Sequence, residues 1–258
     1  MKPHVVFMGS TDFACPILQN LIDHSLNIVR VYTQPPRKSG RHHTKLKSTP
    51  VEILARKLNL SVAYPTSFDQ FALDDFAALQ PDLVIVAAYG LILPAQLLQM
   101  AKQNYLNLHA SLLPRWRGAA PIERAIMAGD DKTGVTLMKM EPKLDCGPII
   151  DTIETTIKNN ETGLELTQRL SSLAALLLEK HIKNALQHNL KARPQPRQGV
   201  SYAAKLSSLD GKINWQHDHR QIFNLLRALN IRISVFVSYL DQRMFVRGGV
   251  VCARCGLL

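Results

Sequence analysis

Short apolar runs set apart by helical stretches limit this chain more than any other feature. The runs are residues 4–8, 28–32, 83–88 and 105–109. HVVFM at 4–8 and LVIVAA at 83–88 are nearly unbroken, as in strands covered on both faces. Helix-type segments over 13–23, 51–60, 68–79 and 94–100 separate them, with a short strand at 62–64. Strands alternating with helices predict an α/β fold with a doubly wound, mostly parallel sheet.

The pattern changes after residue 118. A helix is expected over 118–128. Alternating runs at 135–140 and 149–157 then predict a hairpin around the wide loop 141–148. Thr162 and Glu165 form a capping box for a long amphipathic helix ending near Leu190, with Leu166, Leu170, Leu173, Leu177 and Ile182 as its core stripe. KARPQPRQG at 191–199 is basic and proline-rich, and reads as a linker. Structure resumes over 202–215, a helix follows over 217–228, and periodicity fades beyond Asn230. The division expected is 1–190 as a catalytic domain, 191–206 as linker and 207–258 as a C-terminal domain.

The formal net charge is +11 over 258 residues. Such an excess suits an anionic partner, nucleic acid above all, although a solvated basic surface has the same composition. Residues 33–50 concentrate it. TQPPRKSGRHHTKLKSTP holds Arg37, Lys38, Arg41, Lys45 and Lys47, and no acid. A long unstructured cationic connection suits a phosphate backbone. His42 and His43 lack further ligands in sequence for a metal site. Cys252 and Cys255 make a lone CxxC without a second pair, and Cys15 and Cys146 are scattered. No secretory start and no membrane-spanning run is read, so the expectation is a cytoplasmic protein without a metal. The turn after the first strand holds Gly9 but not GxGxxG, which argues against a dinucleotide.

Chemistry gathers at 105–122, YLNLHASLLPRWRGAAPI. On a strand, Asn107 and His109 point one way while Leu106 and Leu108 point into the other layer. The strand ends before Pro114, and a rigid loop follows with Arg115, Trp116 and Arg117 beside it. In open α/β sheets ligands bind at that end of the strands. Asp145, in the hairpin loop, taken alone reads as a turn aspartate bonding its own backbone. Together, an amide, an imidazole and a carboxylate without a serine or cysteine nucleophile suit a reaction whose substrate brings the nucleophile. The first two would hold an oxyanion; the third would set the charge of His109 or take a proton.

These stretches resemble the methionyl-tRNA formyltransferases. The likeness runs through VVFMGSTDFA, TQPPRKSGRHHTKLKSTPV, AAYGLILP, NLHASLLPRWRGAAPI, LDCG and YAAKLSSLDGKINW, covering nearly all of residues 4–230. The resemblance implies formyl transfer from 10-formyltetrahydrofolate to the α-amino group of methionyl initiator tRNA. It implies Asn107, His109 and Asp145 as the catalytic trio and Ser111, Leu112, Leu113 and Pro114 as the folate segment. It places Arg41 and Lys45 in a loop at the tRNA acceptor stem. A monomer is expected. The sequence departs from the family at Cys146, where threonine is usual. Beyond Asn230 the family continues into an OB-type β-barrel, whereas this sequence loses the likeness and ends early, so a truncated barrel is expected. Residues 231–258 carry four arginines and one aspartate, so +8 of the charge lies upstream. Two other readings stay open: a folate-dependent formyltransferase or hydrolase acting on a small molecule, and a tRNA-binding remnant without catalysis.

Overall fold

The computed structural model describes residues 2–39, 45–102, 104–229, 232–239, 242–246, 251–252 and 256–257. It opens with β1 (His4–Gly9), α1 (Cys15–Asp23) and β2 (Asn27–Tyr32). Next come β3 (Arg37–Ser39), β4 (Lys45–Lys47), α2 (Pro50–Lys57), β5 (Val62–Ala63) and α3 (Gln70–Ala78). β6 (Leu83–Ala87), β7 (Asn104–His109), β8 (Arg117–Gly118), α4 (Pro121–Ala128), β9 (Lys132–Lys139) and β10 (Ile149–Thr156) follow. The remainder is α5 (Gly163–Leu186), β11 (Tyr202–Ala203), α6 (His219–Leu229), β12 (Val235–Tyr239), β13 (Gln242–Val246), β14 (Val251–Cys252) and β15 (Gly256–Leu257).

Seven strands form one sheet in the order β10-β9-β7-β6-β1-β2-β5. The five from β7 to β5 are parallel, β9 runs antiparallel to β7, and β10 runs antiparallel to β9. The sheet is therefore mostly parallel, and the chain winds both ways from β1. Burial explains the unbroken apolar runs: every residue of β6 is buried. Alternation within β1 sends Val5 and Phe7 into one layer and Val6 and Met8 into the other. The first layer packs against α1, α4, α5 and α6; the second packs against Leu73 and Phe76 of α3.

α5 starts where the capping box places it. The Glu165 N–H donates to Thr162 Oγ1 at 3.3 Å, and Glu165 Oε2 accepts from the Thr162 N–H at 2.8 Å. The helix closes at Leu186, short of the expected 190, and His188 takes a left-handed φ of 56° just beyond. Two other expectations change. Residues 33–50 are not all loop, because β3 and β4 pair as a small antiparallel hairpin. Residues 94–100 hold only a 3-10 turn, Leu97–Gln99, since so short a segment after a proline cannot sustain a helix alone.

Past the proline-rich stretch, Ile222, Leu225, Ala228, Leu229, Val235 and Val237 join the same core as α5. Among the described residues, β12–β13 and β14–β15 pair as separate two-stranded sheets. No barrel closes among them. Residues 242–245 are exposed. Cys255, half of the CxxC, lies outside the described residues, as do His42 and His43.

Candidate active site

β7 lies between β6 and β9, with Asn107 opposite Met138 and His109 opposite Thr136 of β9. Leu106 and Leu108 go to the main core, as the alternation requires. Asn107 and His109 emerge on the other face, only 7% and 6% exposed. The loop after β7 is held by a buried hydroxyl. Thr136 Oγ1 donates to the Ser111 carbonyl at 2.7 Å and accepts from the Leu113 N–H at 3.1 Å. Ser111 Oγ in turn donates to the Arg115 carbonyl at 2.7 Å. Ser111 and Leu113 are buried in this scaffold, whereas Leu112 and Pro114 are half-buried. The Leu113–Pro114 peptide is cis.

Asp145 comes from the loop between β9 and β10 and reaches the same place. Its Oδ1 accepts from Asn107 Nδ2 at 3.4 Å, and its Oδ2 lies 3.6 Å from His109 Nδ1. The Gly118 N–H donates to Oδ2 at 2.8 Å. The carboxylate thus answers groups 27 and 38 residues away, not its own turn. His109 Nε2 lies 2.8 Å from the Trp116 carbonyl. A carbonyl only accepts, so Nε2 carries a proton and Nδ1 is the nitrogen turned to Asp145.

Two glycines make this closeness possible. Gly118 has φ +121°, and a Cβ there would sit 2.6 Å from the Ala203 carbonyl oxygen. At Gly147 a Cβ would come within 1.8 Å of the Lys139 carbonyl oxygen. Asp145 itself has φ +48° and Trp116 has φ +62°, a region non-glycine residues enter at a cost of about 1–3 kcal/mol.

Both arginines of the loop are used inside the protein. Arg115 makes a two-pronged ion pair with Asp130 at 2.8 and 2.6 Å, and Trp116 Nε1 donates to the same carboxylate at 2.7 Å. Arg117 donates twice to Gln195 Oε1, at 3.0 and 2.6 Å. Neither cation therefore stands free beside the trio. Lys45 lies on β4 opposite Ser39, and Arg41 is outside the described residues.

Several supports escape a reading of sequence alone. The Trp116 carbonyl and the Gly118 amide are backbone groups and carry no residue signature. Gln195 in the proline-rich stretch and Ser201 just beyond it reach back across the fold. The one hint is Gln195 itself, a lone amide between two prolines that stiffen the chain.

Residues 1–182 match the formyl transferase family. The chain is 42% identical to the methionyl-tRNA formyltransferase of Roseobacter denitrificans, over 98% of this chain and 82% of the relative. It is 45% identical to the methionyl-tRNA formyltransferase of Ruegeria pomeroyi, over 96% and 85%. A solved sugar N-formyltransferase from Shewanella sp. superposes with a TM-score of 0.73 at 20% identity, covering 95% of this chain and 96% of that one. At that identity the likeness speaks to the fold. Match, identity and fold agree: the chain belongs to the formyl transferase family.

Proposed function

We propose that this enzyme transfers a formyl group from 10-formyltetrahydrofolate to the α-amino group of methionyl initiator tRNA, a step of translation initiation. The convergence of Asn107, His109 and Asp145 carries the chemistry. Identity of 42% and 45% to two methionyl-tRNA formyltransferases supports the acceptor.

10-Formyltetrahydrofolate supplies a formyl carbon open to attack by an amine. The donor set suits that carbon. Asn107 Nδ2 and His109 Nδ1 are buried nitrogens whose approaches to Asp145, 3.4 and 3.6 Å, are long for hydrogen bonds. Both are thus available to the formyl oxygen as negative charge gathers there. With Nε2 donating to Trp116, Nδ1 donates to the formyl oxygen when the ring is the imidazolium. A free α-amino group has a pKa of about 7.7–8.0, so reaching the neutral amine near pH 7 costs only about 1 kcal/mol. Asp145 takes the proton released as the new C–N bond forms, directly or through water. That proton leaves with the folate nitrogen as its bond to the formyl carbon breaks. Of the folate segment, Leu112 and Pro114 are the half-buried side chains that face the folate, while buried Ser111 and Leu113 hold the loop in place.

On the acceptor side, Arg41 and Lys45 belong to the basic stretch that meets tRNA phosphates. Residues 1–190 carry the catalytic trio, 191–206 join, and 207–258 contribute to the tRNA side. The reading includes a monomer working in the cytoplasm.

The test is direct. Purified protein is given 10-formyltetrahydrofolate and methionyl initiator tRNA, with filter binding of the tRNA measured in parallel. Formylmethionyl-tRNA should accumulate. Tight tRNA binding without product at saturating donor, or formylation confined to small amines, overturns the proposal.

A further inference from the structure

Residues 191–200 are exposed at every position except Gln195. That one side chain is also fully engaged. Gln195 Nε2 donates to the Asp145 carbonyl at 2.8 Å and to the Gly147 carbonyl at 2.9 Å. Its Oε1 accepts both bonds from Arg117. The two ends of one amide therefore meet the two supports of Asp145. One end grips the loop whose backbone holds Asp145 at φ +48°. The other grips Arg117, whose neighbour Gly118 gives its N–H to the Asp145 carboxylate at 2.8 Å.

The segment around Gln195 is anchored on both sides. Arg193 and Ile149 exchange backbone bonds at 2.8 Å each. Further on, the Trp116 N–H donates to Ser201 Oγ, and the Arg117 N–H to the Ser201 carbonyl, both at 2.9 Å. The Ala119 N–H donates to the Ala203 carbonyl at 2.9 Å. Pro194 and Pro196 limit the backbone on either side of Gln195. This is a strap drawn across the outside of the site, not a slack spacer.

We propose that Gln195 is a positioning residue for formyl transfer: its amide sets the register between the Asp145 loop and the 116–118 turn, and so aims the Asp145 carboxylate at the attacking amine. The inference rests on the formyl-transfer reading above. Displacement of a reacting group by about 1 Å costs on the order of 10²-fold in rate, so a residue that touches no substrate can govern turnover.

Three variants separate the roles. Gln195→Met keeps the length and loses every polar contact. Gln195→Glu keeps acceptors for Arg117 but loses both donors to the carbonyls of residues 145 and 147. Gln195→Ala removes the side chain. We expect all three to lower kcat by about 10–100-fold, with KM for the formyl donor and for methionyl-tRNA within about twofold of the parent. A second readout does not depend on activity. The Gly118 amide, bonded to the Asp145 carboxylate, should shift in the 15N–1H spectrum of Gln195→Met while amides of β1 and β6 stay in place.

A Gln195→Glu enzyme with parental kcat overturns the proposal, because the donors would then be dispensable. So does Gln195→Met with a lower melting temperature but unchanged kcat and an unmoved Gly118 amide. Absence of formylation by the parent enzyme instead points at the formyl-transfer reading itself, and the Gly118 signal then decides the role of Gln195 by itself.

Discussion

At His109 a backbone carbonyl decides which nitrogen faces Asp145. With Nε2 given to Trp116 at 2.8 Å, ring rotation is blocked and Nδ1 faces the site. Asn107 offers the second donor from two residues earlier on the same strand face. A preorganised donor is worth most where charge develops, so Asn107→Ala should lower kcat by about 10²–10³-fold and leave KM for methionyl-tRNA nearly unchanged. Steady-state formylation checks this, and a kcat within about threefold of the parent removes Asn107 from the oxyanion role. The pairing of Asn107 with His109 was legible in the sequence, because strand alternation puts them on one face. The partnership of Asp145 with them was legible through the family resemblance and not from local pattern, because a carboxylate followed by Cys146 and Gly147 has the signature of an ordinary turn.

Among the elements, β10 and α5 are tied by a buried-edge cluster. Asp151 of β10 lies 2.8 Å from Lys180 Nζ and 2.7 Å from His181 Nε2, both on α5. Burial opposes the Asp151 charge, but bonds from Lys180, His181 and the Thr152 amide outweigh it and bring the carboxyl down to about 2. An unfolded aspartate titrates near about 3.9, so ionisation favours the folded state. The contribution is complete above about pH 4 and vanishes as pH falls through about 2. Allowing for solvent at this partly exposed side chain, Asp151→Asn should lose about 1–2 kcal/mol at pH 7. Urea midpoints measured from pH 7 to 2 should show the gap to the parent closing on the acid side. Element boundaries in the sequence were clear where the cause was local, as at the Thr162 capping box. They slipped where the cause was distant. The helix expected from residue 118 begins at Pro121, because Arg117–Gly118 pairs instead with Tyr202–Ala203.

Over the whole molecule the charge is lopsided. The excess of +11 includes the run at 37–47, where five basic residues meet no acid. If that run meets tRNA phosphates, its contacts release counterions and affinity falls steeply with salt. Replacing residues 37–47 with a short glycine-serine link should lower kcat/KM for methionyl-tRNA by about 10²-fold and flatten the slope of log Kd against log salt. Formylation of a small amine should be spared. An unchanged salt slope would place the phosphate contacts elsewhere on the molecule.

Local physics was written in the chain from the start. Apolar runs of strand length fixed a covered sheet, strand alternation put Asn107 beside His109, and a threonine with a glutamate three residues on started α5. These effects act between neighbours a few residues apart, so composition and spacing reveal them. What only the tertiary structure decided is the closure of the site: Asp145 brought to β7, the Trp116 carbonyl on His109, and Gln195 strapped across from a stretch that looked like a spacer. Those contacts join residues whose proximity depends on the folding of everything between them, and no local preference encodes them.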